Sequence, residues 1–205
     1  MVNGERGHTG RRTQAERSAA TRTALLDAAR QLFASQGYAG TGREEIVAAA
    51  GVTRGALQHH FGDKEALFLA VYEIVEREVV EVVAEAAMKA GGDAIDQLRE
   101  GCHAYLDAVL DPAVQRICAI DGPAVLAAPV RQEITDRYAL GLVREALRQA
   151  MESGRIDKAP VDAFAQVLLA GLMAAAQYVA TATRPRLARG EAGQTIEVLL
   201  DGLER

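Results

Sequence analysis

Between Gly37 and Leu67, this 205-residue chain alternates helix-ending glycines with helix-starting polar residues at intervals that admit only short helices. Thr41-Gly42-Arg43-Glu44 has the form of a capping box, in which a Thr hydroxyl and a Glu carboxylate satisfy orphan amides. It predicts a short helix through Ala50, closed by Gly51. Val52 is apolar and Thr53 is a good N-cap, so a third helix should run from Arg54 to about His60, with Val52, Leu57 and Phe61 facing inward. Upstream, from Thr21, the residues Leu25, Leu26, Ala29, Leu32 and Phe33 recur at helical spacing until Gly37. Two short helices around a tight Gly turn, backed by a longer one, make a helix-turn-helix, whose usual partner is double-stranded DNA.

The rest of the chain reads as helix too. Hydrophobic residues make up 49% and aromatics only 4%, with no Trp and few β-branched runs, so an all-α fold is expected. Asp63 should cap a long helix carrying Leu67, Val71, Ile74, Val75, Val79, Val82 and Val83 as far as Ala90, before Gly91-Gly92. Further helices are expected near 94–109, 112–120, 123–127, 131–153, 160–181 and 188–203, punctuated by Pro112, Gly122-Pro123, Pro129, Gly154, Pro160 and Pro185. Residues 1–17, polar, Gly-rich and basic, read as a disordered arm whose Arg6, Arg11 and Arg12 are candidates for brushing DNA. The division expected is an arm at 1–17, a DNA-binding head at 18–65 and a body at 66–205.

Charge follows that division. Residues 1–65 hold nine Lys/Arg against seven Asp/Glu, net +2, and the remainder fourteen against twenty-one, net −7. DNA would meet the first third and be repelled by the body. No uninterrupted apolar stretch approaches the roughly 20 residues of a membrane span, and no leader is evident, which places the chain in the cytoplasm. No cofactor or metal motif stands out; adjacent His59 and His60 point about 100° apart on a helix and cannot share one ion. Cys102 and Cys118 read as small buried apolar residues.

The run Leu25-Leu26-Asp27-Ala28-Ala29-Arg30-Gln31-Leu32-Phe33, then Gly37-Tyr38, Thr41, Ile46, Ala50-Gly51-Val52-Thr53-Arg54-Gly55-Ala56-Leu57, His60-Phe61 and Lys64-Glu65-Ala66-Leu67, resembles the DNA-binding domain of the tetracycline-repressor (TetR) family. Ile120-Asp121-Gly122-Pro123-Ala124-Val125-Leu126 faintly resembles one of the family's C-terminal groups. The resemblance implies a non-enzymatic, dimeric regulator, by default a repressor of a palindromic operator, released by a small-molecule effector held in the body. It also implies phosphate contacts for Thr53, His60 and Lys64. A major groove about 12 Å wide admits the third helix, which would present Arg54, Gly55, Ala56, Gln58 and His59, with Arg54 reading guanine and Arg43 reaching a phosphate or an edge base. Two departures, Gln58 where the family usually has Tyr and Gly42 where it commonly has Ser or Thr, bear on the operator sequence.

In the body, effector contacts are expected from Cys102, His103, Leu106, Leu110, Cys118, Asp121, Leu126, Tyr138, Met173, Gln177 and Tyr178, with low aromatic content favouring an aliphatic or acyl-like compound. The last two helices carry Phe164, Leu168, Leu172, Ala175, Val179, Ile196, Leu199, Leu200 and Leu203, expected to pair with a second subunit. Rival readings are an oxidation-driven switch at Cys102 and Cys118, an enzyme built on Cys102-His103, and an architectural binder indifferent to sequence.

Overall fold

The computed structural model describes residues 13–204. It is helical throughout, with one isolated bridge between Ile156 and Glu204. The head consists of α1 (Gln14–Gly40), α2 (Arg43–Ala49) and α3 (Arg54–Phe61). α4 (Lys64–Ala90) leaves it and packs lengthwise on α5 (Ala94–Ala108). There follow α6 (Pro112–Val114), a π-helical segment Gln115–Asp121, α7 (Gly122–Val125), α8 (Ala128–Tyr138), α9 (Leu140–Glu152), α10 (Val161–Thr181) and α11 (Pro185–Asp201).

Capping sets several of these boundaries. Thr13 and Glu16 form a capping box at the start of α1, so the helix begins before Arg17, within the stretch expected to be an arm; the candidates Arg6, Arg11 and Arg12 lie outside the described residues. Asp63 caps α4 by accepting from the Ala66 amide at 2.8 Å. Thr41 does not cap α2: Gly42 occupies that position, and the buried Thr41 hydroxyl donates to the Gly37 carbonyl at 2.8 Å. The 131–153 helix is two helices that part at Ala139.

The core is continuous from head to body. Phe33, Tyr38 and Phe68 form an edge-on aromatic cluster, with Phe33–Phe68 centroids 5.2 Å and Tyr38–Phe68 centroids 5.1 Å apart, joining α1 to α4. The Arg30–Glu78 ion pair at 2.7 Å lies beside it. In the body, Arg99 on α5 pairs with Glu197, Asp201 and Glu204, which ties down the end of α11. By length and mean composition α10 is apolar enough to cross a membrane, with a mean hydropathy of 1.6 over its best window, although Asp162, Gln166 and Gln177 interrupt its apolar run. One of its sides is spent on α5, α9 and α11.

Candidate DNA-binding face and effector cavity

α3 presents its outer side to solvent. Thr53, Arg54, Gly55, Gln58 and His59 are exposed, Ala56 and His60 are half-buried, and Leu57 holds the helix to the head. Arg43 is exposed at the start of α2. Arg54 pairs with Glu44 across the turn, both side chains largely in water. A backbone hydrogen bond, helped by that neighbouring cation, lowers the Glu44 carboxyl below its ordinary value. Lys64 differs from the others: its ammonium donates to the Tyr38 carbonyl at 2.9 Å and the Thr41 carbonyl at 3.0 Å, and lies 4.1 Å from the Tyr38 ring centroid. Two of its three protons close the end of α1, which leaves one for a phosphate.

Behind the head, the body holds a partly open cavity of two chambers. The first, about 270 Å³, is walled by aliphatic side chains, chiefly Val79, Val83, Ala84, Leu98, Leu142 and Val143. The second, about 330 Å³, is bounded by Tyr72, Tyr105, Cys118, Arg131 and Gln177. Glu76, Val79, Tyr105 and Met173 belong to both walls, so the chambers meet at Glu76. Burial pushes the Glu76 carboxyl above its ordinary value, against the opposing pull of hydrogen bonds from Tyr72 and Cys118.

Of the expected effector contacts, Cys102, Cys118, Met173 and Gln177 line the cavity. The others serve elsewhere. Leu106 and Leu126 are packed in the core, and Leu110 lies against it. His103 turns to Glu197 on α11, Tyr138 donates to Glu73 at 2.8 Å, and Tyr178 is exposed and donates to Glu191. Asp121 is a structural link, 8% exposed, accepting from the Tyr38 amide at 2.7 Å and from Arg116 Nε at 3.2 Å. Glu76, Tyr72, Tyr105 and Arg131 were missed. The available signal was a carboxylate inside an apolar helical stripe, one turn after Tyr72 and three residues before Val79.

The Asp121 link joins head and body. Tyr38 follows Gly37, whose φ of 75° turns the end of α1. A Cβ at Gly37 would meet only the tip of the Arg116 side chain, which can swing aside, so it is the left-handed backbone that demands glycine. Arg116, Cys118, Ala119 and Asp121 all lie on the π-helical segment, which thus faces the cavity with Cys118 and Ala119 and the head with Arg116 and Asp121. Gly122 completes the joint, since a Cβ there would come 2.6 Å from the Tyr72 ring.

The rival readings fare poorly against this geometry. Burial pushes the Cys102 thiol up to about 11 and raises the Cys118 thiol well above its ordinary value, disfavouring the thiolate that oxidation needs. Cys102 faces the cavity while His103 faces α11, so the pair shares no site. Among the described residues, no group of three or more His, Cys, Asp or Glu side chains is placed to hold a metal ion.

On the expected subunit face, Leu172, Val179, Ile196 and Leu200 are consumed by the chain's own core, Phe164, Leu168, Ala175 and Leu203 are part-buried against it, and Leu199 is exposed. The free apolar side of α10 and α11 lies a step around, at Val167, Ala170, Ala174, Leu187, Val198 and Leu199.

Comparison with known proteins agrees with the architecture. Residues 25–71 match the pattern described as bacterial regulatory proteins, tetR family, and residues 95–203 that of the tetracyclin repressor-like C-terminal domain. The HTH-type transcriptional regulator AcrR of Shigella flexneri is 45% identical over 80 residues, 39% of this chain and 37% of its own. CymR of Pseudomonas putida is 34% identical over 127 residues, 60% of this chain and 63% of its own, so the chain spans under two thirds of either. The HTH-type transcriptional repressor Rv1474c of Mycobacterium tuberculosis is 31% identical over 201 residues, 91% of this chain and 92% of its own. A crystal structure of a TetR-family transcriptional regulator from Pectobacterium atrosepticum superposes with a TM-score of 0.81 at 31% identity, covering 94% of this chain and 98% of that one.

Proposed function

The chain belongs to the TetR family of transcriptional regulators, DNA-binding proteins and not enzymes, and from that premise we propose that it is an effector-released repressor. Two copies bind a palindromic operator in the cytoplasm, each placing α3 in the major groove. The head, 18–65, reads DNA through Arg54, with Arg43, Thr53, Gly55, Ala56, Gln58, His59, His60 and Lys64 around it. The body, 66–205, pairs the subunits and holds the effector. Dimerisation uses the uncovered side of α10 and α11, since two-fold half-sites call for two-fold protein symmetry.

The observation that carries this reading is the π-helical segment that touches both the cavity and the head. An occupant pressing on Cys118 and Ala119 acts on the element whose Asp121 holds the Tyr38 amide. It thereby favours a head position that no longer fits both half-sites. Ligands in this fold have precedent in RolR with resorcinol and in FadR of Bacillus subtilis with stearoyl-CoA.

Selection of duplexes from a random pool, followed by fluorescence anisotropy on the selected site, tests the proposal. A two-fold symmetric site bound by a dimer and released by a cavity ligand is expected. A monomer without sequence preference would overturn it.

A further inference from the structure

Glu76 is a carboxyl group in an aliphatic cavity, and no ion pair among the described residues includes it. α4 carries it on the buried stripe of Tyr72, Val75 and Val79. Tyr72, Cys118 and, from α5, Tyr105 line the cavity around it. The nearest cation, Arg131 on α8, has its Nε committed to the Leu126 carbonyl at 3.3 Å and offsets the charge only in part. The hydroxyls and thiol around Glu76 can donate to an ionised carboxylate, while the aliphatic walls limit its hydration and no counter-ion pairs with it among the described residues.

What fits the vacancy in charge also fits the space. On the far side of Glu76 from Arg131 runs the chamber of Val79, Val83, Ala84, Leu98, Leu142 and Val143, about 270 Å³ and mostly aliphatic, with Gln97, Thr135, Glu145 and Gln149 also in its lining. A hydrocarbon chain there removes apolar surface from water at roughly 25 cal/mol per Å². A carboxylate at the head of such a chain would be driven off by Glu76, and a hydroxyl would leave the charge unpaired. Resting on the reading of this cavity as the effector site, we propose that the effector is a cationic aliphatic amine whose ammonium pairs with Glu76 and whose chain fills the valine-lined chamber.

Binding exchanges a proton for the ligand. An alkylamine, like lysine, titrates near 10 and enters protonated at neutral pH. Where Glu76 carries its own proton, it must give it up to form the pair, and that proton leaves to solvent. The other titratable or charged groups in the cavity walls are Tyr72, Tyr105, Cys118, Arg131 and, from α9, Glu145.

The test uses the full-length protein with decylamine, decanol and decanoate, each below its aggregation threshold, in isothermal titration calorimetry. Decylamine is expected to bind at least tenfold more tightly than either analogue. Glu76→Gln, a nearly isosteric and uncharged replacement, should bring decylamine down to the affinity of decanol and leave decanol where it was. In the wild type, two buffers of different ionisation enthalpy should reveal proton release with decylamine that grows as the pH is lowered from 8 toward 5, and none with decanol, which needs no variant to fold. Decanol or decanoate binding as tightly as decylamine, or a Glu76→Gln protein that keeps full amine affinity, overturns the inference. Operator release separates it from the reading beneath: a protein that drops its selected duplex for decanoate but not for decylamine keeps the effector reading and loses the amine. One whose hold on DNA ignores every occupant of the cavity loses the effector reading itself.

Discussion

Arg54 and Glu44 face each other across the head with most of both side chains in water, and an ion pair so placed is worth only ~0–1 kcal/mol. The pair aligns the guanidinium without holding it back from a base. Replacing Arg54 with Ala should cost about 1–3 kcal/mol at the selected operator and little on random DNA, read as the ratio of dissociation constants. Equal losses on both would deny Arg54 its reading role. The exposed place of Arg54 at the start of α3 was legible in the sequence because it depends on the local turn at Gly51, although Thr53, expected as a cap, stands at the N-cap position without a side-chain capping bond. The second role of Lys64 was not, because its acceptors at Tyr38 and Thr41 are carbonyls that only the fold brings near. Glu76 makes a separate prediction. Its folded-state carboxyl sits above the ordinary value of 4.5, so the folded chain holds that proton more tightly than the unfolded one. Its contribution to stability is thus most favourable at acid pH and is lost as pH rises through the raised value. Glu76→Gln should therefore melt above the wild type at pH 8, with the gap narrowing toward pH 5 in thermal unfolding followed by circular dichroism.

At the level of elements, boundaries with a chemical cause were readable and those made by packing were not. Asp63 before α4 and Gly51 between α2 and α3 act locally, and the sequence placed them. Thr41 matched a capping pattern, yet its hydroxyl turned back to the Gly37 carbonyl, a contact that exists only once α1 bends. Nothing in the residues around Ala139 breaks a helix, so the parting of α8 from α9 left no trace in sequence. The π-helical segment likewise has no signature in Gln115–Asp121, although π turns recur at functional sites. Two substitutions probe this joint. Gly37→Ala should destabilise the protein by ~1–3 kcal/mol in urea denaturation, since the backbone there is left-handed. Asp121→Ala leaves the Tyr38 amide without its acceptor, at a cost of about 1–3 kcal/mol, and should blunt effector-driven release in an anisotropy assay more than it weakens effector binding. A release curve identical to that of the wild type would mean that the signal travels another way.

At the scale of the whole molecule, the helical architecture followed from composition and periodicity, and the division of labour from charge. Which side of α10 remains free did not, because helical spacing alone cannot say which neighbours claim Leu172 and Val179. Val198, 71% exposed, and Val167, 70% exposed, are the residues to test. Val167→Glu combined with Val198→Glu should yield monomers in sedimentation and lower operator affinity by orders of magnitude; dimers persisting at micromolar concentration would locate the contact elsewhere. The side of α10 that remains bare carries Ala170, Ala174 and Gln177, the same three side chains that form part of the second chamber's wall. Pairing along that seam would seal the compartment from outside, so the small molecule's exit rate and the protein's own concentration become linked variables. Dilution alone would then make the compartment leak.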